Sequence, residues 1–450
     1  MATMTEAPPG RAGDLPWPSA GIGWYAVFVI ALSLLVNFLD RGIVPLLVPF
    51  IKADLDISDT RMSLIMGFAF VAFYAVAGLP IARYADRGNR KRLIAVGLLM
   101  WSFATAACGL ARSFLGLFAF RMGVGVGEAC TGPASFSLLG DLIPPERMPR
   151  VLAVMNFGFI AGNGLALIIL GTLIQLLSSS PTIDLPLLGE MRMWQAAFVL
   201  VGLPGMLVAL LMLTVPEPAR RVGGAQPTIS EVLSFLWEQR SVYGPLILTI
   251  SINTMAAVGL ISWGPTYFMR VWHWDIGTIG LVQGLIWLTL APIGALIGGW
   301  MAERFAKAGH DDANLRVVIY AMAINIPCVV LMPLMPSAEL SVLFMALSVF
   351  GASLLFGPQN AAIQVVTPGR MKGQVTAAVL FGFNIIGFGL GPTVTALFTD
   401  YVYRDEAQVG YALATCYAIL GPIAFLIMLS GLKPYGRAVA AVREHWHKGY

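Results

Sequence analysis

Four ionisable residues stand inside apolar runs that otherwise exclude charge: Asp40 and Arg41 in one run, Arg121 and Glu128 in another. A charge at the centre of a bilayer costs about 2.5–3.5 kcal/mol or more, so such residues face a bundle interior or a wet cavity and mark ion or substrate paths. Residues 121 and 128 are seven apart, about two helical turns, which puts them on one helix face roughly 10 Å apart along the axis. Counting about 1.5 Å per residue from the ends of their runs brings Asp40 and Arg121 to a similar depth, about 13 Å from one membrane face. By the same count Glu128 lies near the midplane. Asp40 and Arg121 are expected to meet, and Glu128 to lack a fixed partner. Burial favours the neutral form of a carboxylate, so Asp40, Glu128 and Arg121 are candidates for coupling proton movement to another event. An anionic group could compete for the same contacts, which makes Arg121, Arg41 and Glu128 candidates for binding a substrate. The plainer alternative is a static ion-pair network, with Arg41 snorkelling to the surface.

The elements that must position these residues follow from composition. Of 450 residues, 58% are hydrophobic and 12% charged, against about 25% charged in a soluble domain. A hydrocarbon core about 30 Å thick needs roughly 20 apolar residues per helix, so a chain of this length holds about a dozen spans. Apolar runs fall near 24–49, 61–82, 93–111, 114–140, 151–176 and 194–215, and again near 242–270, 276–302, 315–335, 339–366, 374–399 and 409–431. Between the sets, residues 216–241 combine Pro216, Pro218, Arg220, Arg221 and Gly223 with an amphipathic stretch from Thr228 to Arg240, a linker with an interfacial helix. The expected organisation is a tail over 1–23, six-helix bundles over 24–215 and 242–432 joined by that linker, and a tail over 433–450. The Pro/Gly-rich start has no cleavable signal architecture, so the first helix is expected to stay in the membrane.

Orientation comes from Lys and Arg. One set of connections carries Arg83, Arg87, Arg90, Lys91, Arg92, Arg147, Arg150, Arg220, Arg221, Arg240, Arg304, Lys307, Arg316, Arg370 and Lys372. The other set carries only Lys52, Arg61, Arg112, Arg192, Arg270 and Arg404. This bias places both termini in the cytoplasm. The halves also echo each other. Ala85-Asp86-Arg87 after the second span answers Ala302-Glu303-Arg304 after the eighth, and Pro145-Glu146-Arg147-Met148 after the fourth answers Pro368-Gly369-Arg370-Met371 after the tenth, as parallel repeats in a transporter would.

The loop Asp86-Arg87-Gly88-Asn89-Arg90-Lys91-Arg92 resembles the signature of the major facilitator superfamily, with Ala82 and Asn89 where that motif usually has glycine. The resemblance implies an all-α membrane protein with twelve transmembrane helices in two pseudo-symmetric six-helix bundles. A carboxylate at Asp86 is suited to the positive N-terminal end of a neighbouring helix, the eleventh, holding the cytoplasmic side shut. Glu303 could do the same for the fifth helix, which makes Asp86, Arg87, Arg90, Glu303 and Arg304 candidate gating residues. Asn37-Phe38-Leu39-Asp40-Arg41 and Arg121-Met122-Gly123-Val124-Gly125-Val126-Gly127-Glu128-Ala129, with the loop, are similar to the spinster family of lipid transporters. That resemblance runs from about Asn37 to Gly171 and fades to general major-facilitator character beyond. It implies transport of lysophospholipids or sphingoid lipids with proton coupling at Asp40 and Glu128. Anion:cation symporters for sugar acids share a similar Asn-x-x-Asp-Arg start.

Other classes find little support. No GxxxxGK[ST] loop or HExxH is present, and the histidines, His273, His310, His445 and His447, fall in loops or the tail, so neither an enzyme nor an ATP-driven pump is expected. Net charge is +4 without a basic, aromatic-interleaved stripe, so nucleic acid is not an expected partner. Cys108, Cys130, Cys328 and Cys416 lack metal-ligand spacing and read as small buried residues. A channel is the rival from another class, because intramembrane charges also line pores. The expectation is therefore an alternating-access secondary transporter without cofactors, with the proton as coupling ion. It would carry an amphipathic lipid-like substrate or, alternatively, a small organic anion such as a sugar acid, as a monomer in a bacterial inner membrane. Thiol labelling of intact cells checks the orientation: Lys91→Cys and Lys372→Cys should both resist impermeant reagents until the membrane is opened, and protection of only one would overturn the twelve-span count.

Overall fold

The computed structural model describes residues 17–180, 182–186, 188–220 and 228–448. Helices account for nearly all of it. The first half comprises α1 (Ala20–Leu55), α2 (Asp59–Met66), α3 (Phe68–Arg87), α4 (Arg90–Cys108), α5 (Phe114–Glu128), α6 (Gly132–Leu142), α7 (Met148–Leu177) and α8 (Met193–Thr214). A short antiparallel hairpin, Thr182–Leu185 with Gly189–Arg192, precedes α8. The linker helix α9 (Ile229–Glu238) leads to α10 (Arg240–Trp272), α11 (Ile276–Lys307), α12 (Ala313–Leu331), α13 (Ala338–Ser353), α14 (Phe356–Val366), α15 (Lys372–Phe383), α16 (Gly389–Leu397) and α17 (Val409–Lys448). Eleven helical segments among the described residues are long and apolar enough to cross a membrane. The fourth span completes the dozen as α5 plus α6, because the chain breaks its helix at Ala129–Thr131. The tenth breaks at the matching place, between Ser353 and Phe356, so the repeat extends to backbone irregularity.

Several helix starts are set by side chains that satisfy orphan N–H groups. Ser58 accepts from Arg61 N at 3.2 Å, Asn89 from Arg92 N at 2.9 Å, and Asp275 from Thr278 N at 2.9 Å. Asn89 therefore caps α4 where the signature loop usually has glycine. Most helices overrun their apolar runs, and α17 continues to Lys448, through the segment expected to be a tail. Arg443 there pairs with Asp311 at 2.8 Å.

Packing differs between the two ends of the molecule. On the face opposite the arginine-rich loops, one apolar core draws on both halves, including Ile43, Leu47, Leu170 and Phe198 with Trp263, Phe268, Ile279 and Ala396. Toward the arginine-rich face it divides into one core of first-half residues around Ile30, Trp101 and Leu138 and another of second-half residues around Tyr243, Met322 and Met428. The halves are joined at one end and parted at the other. The joint depends on glycine at the α7–α11 crossing. A Cβ on Gly164 would lie 2.6 Å from Gly284 O, and one on Gly171 would lie 2.8 Å from Gly280 Cα, so backbones touch where side chains would hold them apart.

Beside this crossing, Gly277 N donates to Gln175 Oε1 at 3.2 Å, and a Cβ on Gly277 would lie 3.2 Å from that of Gln175. The pair Gln175→Cys/Gly277→Cys should form a disulfide readily and arrest turnover. Adding Gly280→Leu, an overpacking change worth about 1–3 kcal/mol, should lower the cross-linking yield measured on gels. An unchanged yield would mean that this crossing does not separate.

Candidate functional site

The intramembrane charges converge between α1, α4 and α5. Glu128 is the last residue of α5, at the break, and only 4% of its side chain is exposed. Its Oε1 accepts from Arg41 Nε at 2.8 Å, from Arg41 Nη2 at 2.5 Å and from Asn37 Nδ2. Its Oε2 is buried without a hydrogen-bond partner. Glu128 thus has fixed partners, contrary to the depth count. Helical side chains lean toward the N-terminus of their own helix. On α1 that turns Arg41 back toward Asn37, and on antiparallel α5 it turns Glu128 toward Arg41, which closes a gap that Cα depths alone leave open.

Asp40 and Arg121 are neighbours as expected, but they do not form a direct ion pair. Arg121 Nη1 donates to the Asp40 backbone carbonyl at 3.4 Å, and both carboxylate oxygens of Asp40 are buried without a hydrogen-bond partner. Trp101 and Thr105 of α4 face that carboxylate. Asp40 is 1% exposed and Arg121 2%, so both are sealed inside the first half. Arg41 differs, with 32% of its side chain exposed. Its guanidinium lies over the Phe70 ring at 4.8 Å and over Phe388, from the second half, at 5.7 Å. It is thus the cation placed where the halves face each other, whereas Arg121 is sealed in the first half.

The glycines of Gly123-Val124-Gly125-Val126-Gly127-Glu128 explain how α5 reaches this position. A Cβ on Gly125 would meet Phe70 O at 2.3 Å, and one on Gly127 would meet Trp101 N at 2.7 Å. Without side chains, α5 wedges between the backbones of α3 and α4 and delivers Glu128 to Arg41. The break then satisfies its own polar groups, with Thr131 Oγ1 donating to Glu128 O at 2.8 Å.

The gating candidates lie toward the arginine-rich face. The side chains of Asp86 and Arg87 lie outside the described residues. Arg90 is fully buried within the first half, donating to Glu217 at 2.8 Å, to Asp141 and to Pro218 O at 3.0 Å, so it ties α4 to α6 and the linker. Glu303 pairs with Lys307 of its own helix at 2.5 Å, and Arg304 lies over Trp300 at 5.4 Å. With that face parted, Glu303 meets its own turn instead of the fifth span.

Polar bonds between the halves, among the described residues, sit at the opposite end. Asp59 binds Arg270 through both oxygens at 2.8 and 2.9 Å and also takes Lys52, while Glu406 accepts from Lys52 and Arg270 at 2.7 and 2.8 Å. Sequence reasoning named none of these acids, because each lies at the end of an apolar run and resembles an ordinary loop charge. It quoted Asn37 only as part of a motif and missed Phe70 and Phe388, which no pattern separates from lipid-facing aromatics. In the second half, Trp263 and Tyr267 of α10 are both buried, Trp263 donating to Pro392 O at 2.9 Å and Tyr267 lying 3.1 Å from the Ser341 hydroxyl.

Comparison with known proteins agrees with this architecture. An efflux pump of the MFS type from Mycolicibacterium smegmatis is 29% identical over 85% of this chain and 86% of its own length. The hexuronate transporter of Bacillus subtilis is 24% identical over 83% and 87%. The crystal structure of a bacterial homologue of the human lysosomal transporter Spinster, inward-facing and unoccupied, superposes with a TM-score of 0.75 at 24% identity, covering 95% of this chain and 99% of that one. Residues 30–392 match the profile of the Major Facilitator Superfamily, and with its paired six-helix bundles, joined at one face and parted at the other, this chain belongs to that family of membrane transporters.

Proposed function

We propose that the chain is a proton-coupled secondary transporter that binds the anionic headgroup of an amphipathic, lipid-like substrate at Arg41. The observation that carries this reading is the divided environment of Arg41. One edge of its guanidinium is committed to Glu128, while a third of the side chain is open between the halves and flanked by Phe70 and Phe388. An anion can share or take over that cation, and the aromatic flank suits an apolar tail. Protonating Glu128 removes the charge that holds Arg41 and frees it for the headgroup. Release of the proton returns Arg41 to Glu128 and expels the anion. By linkage, each event changes the affinity for the other by the same factor, typically worth 1–3 kcal/mol. Asp40 and Arg121, sealed behind this pair, serve in this reading as a second protonatable site and its fixed counter-charge.

The orientation completes the scheme. With the arginine-rich loops in the cytoplasm, the parted face opens inward and the joined face is external, in a bacterial inner membrane. Asp86 is then the residue whose contact with the eleventh helix holds the inner side shut in the alternate conformation. A second reading, symport of sugar acids, is supported by the hexuronate transporter among the relatives. Substrate protection against heating distinguishes the two: lysophospholipids should raise the melting temperature of purified protein and hexuronates should not.

Two substitutions test the site. Glu128→Gln should abolish accumulation driven by a pH gradient in proteoliposomes while leaving counterflow measurable. Arg41→Ala should weaken substrate binding by about tenfold to a hundredfold, the scale of one charged hydrogen bond at 1.5–3 kcal/mol. Full pH-driven uptake by both Glu128→Gln and Asp40→Asn would make the cluster purely structural.

A further inference from the structure

We infer that Asp400 is a gating residue of the transport cycle, a carboxylate of the second half that holds the joined face shut by capping a helix of the first half. Asp400 lies in the π-helical turn Phe398–Tyr403 that ends the eleventh span. Its Oδ2 accepts from Thr60 N at 2.7 Å and from Thr60 Oγ1 at 2.6 Å. Thr60 is the second residue of α2, so the first of these donors is one of the N–H groups that no carbonyl of α2 can satisfy. A carboxylate there meets the positive end of the helix as well as two donors. The cap of the same helix from its own chain segment, Ser58, serves only Arg61 N, so Asp400 supplies what the local sequence leaves open. Alongside, Ser63 donates to Thr393 at 3.1 Å, and Gly67 admits the backbone carbonyls of Phe388 and Gly389. These contacts seat one face of α2 on the eleventh span.

Separating the halves at this face strips α2 of its second-half carboxylate and leaves Asp400 to water. The contact exists only while the face is joined, which distinguishes it from a cap that merely stabilises the fold. The geometry also places it on the second and eleventh spans, the pair for which a latch by Asp86 is proposed at the other membrane face. Each conformation would then be held by one carboxylate on a helix N-terminus, given by the second span at one end and by the eleventh at the other. A π-helical turn at the site fits a segment that must adjust when the contact breaks.

The test is the distance distribution between spin labels at Glu190 and Ser337 on the joined face, with a pair at Glu146 and Lys372 on the parted face. Asp400→Ala should raise the ratio of separated to joined populations by about threefold to tenfold, the effect of a charge at a helix end. Asp400→Asn should give a smaller shift, and Asp400→Glu should restore the wild-type distribution. Measuring the same variants over Arg270→Gln/Glu406→Gln removes the neighbouring ion pairs that cross the halves, so that a small effect is not hidden behind them. Unchanged distributions for Asp400→Ala in both backgrounds would overturn the inference. So would a loss of thermal stability in Asp400→Asn without any change of distribution, which would mark a structural cap only.

Discussion

A charge buried in a low-dielectric bundle must be paired or neutralised, and the arrangement around Glu128 follows from that constraint. Breaking a buried ion pair by removing one partner costs about 3–5 kcal/mol. Glu128 and Arg41 therefore determine where α1 and α5 lie relative to each other. Glycines at 125 and 127 let α5 come within backbone contact of α3 and α4, and the helix break after Glu128 frees the carboxylate to meet Arg41. A larger residue at either glycine would push the carboxylate away from its counter-charge. The motif is thus a packing solution to an electrostatic problem, which explains why small residues and an acid occur together.

The same pair stands at the border between rigid and mobile parts. Behind it, Asp40, Arg121 and Arg90 are sealed in the first half, where Arg90 joins α4 to Asp141 and Glu217. In front, Phe388 of the second half touches Arg41, and the shared apolar core ends a little beyond. Interactions that cross between halves must be breakable within a transport cycle. Those seen here include the shared apolar core, glycine backbone contacts, hydrogen bonds such as Ser63 to Thr393, the Asp400 cap and the ion pairs around buried Asp59. Behind the Arg41–Glu128 pair, the network of Arg90 with Asp141 and Glu217 is buried within the first half, where its loss would be too costly to repeat on every turnover.

Amphipathic order in the linker follows similar logic. On α9, Val232 packs into the second-half core while Leu233 and Trp237 are exposed, with Arg240 over the Trp237 ring. Exposed apolar side chains beside a cation suit the headgroup boundary of a bilayer. Helix α9 is thereby suited to lie along a membrane surface.

The sequence by itself determined the solvent, the span count, the repeat and the charges inside the apolar runs, because each rests on composition or on local periodicity. It also located the linker helix. Pairing was different. Depth counted along straight helices brought Asp40 to Arg121 and left Glu128 alone, whereas the tilt of side chains toward helix N-termini gave Glu128 to Arg41 and left Arg121 on a backbone carbonyl. The break at Ala129–Thr131 is followed by Pro133 at the start of α6, a signal that a single apolar run over 114–140 passed over. The acids that join the halves, Asp59, Asp400 and Glu406, look like ordinary loop charges until distant spans bring Thr60, Arg270 and Lys52 against them. Which charges stand inside an apolar run is a local property, but which further charges become buried, and which partner neutralises each, depend on helix rotation and side-chain direction, and only the tertiary structure decides those.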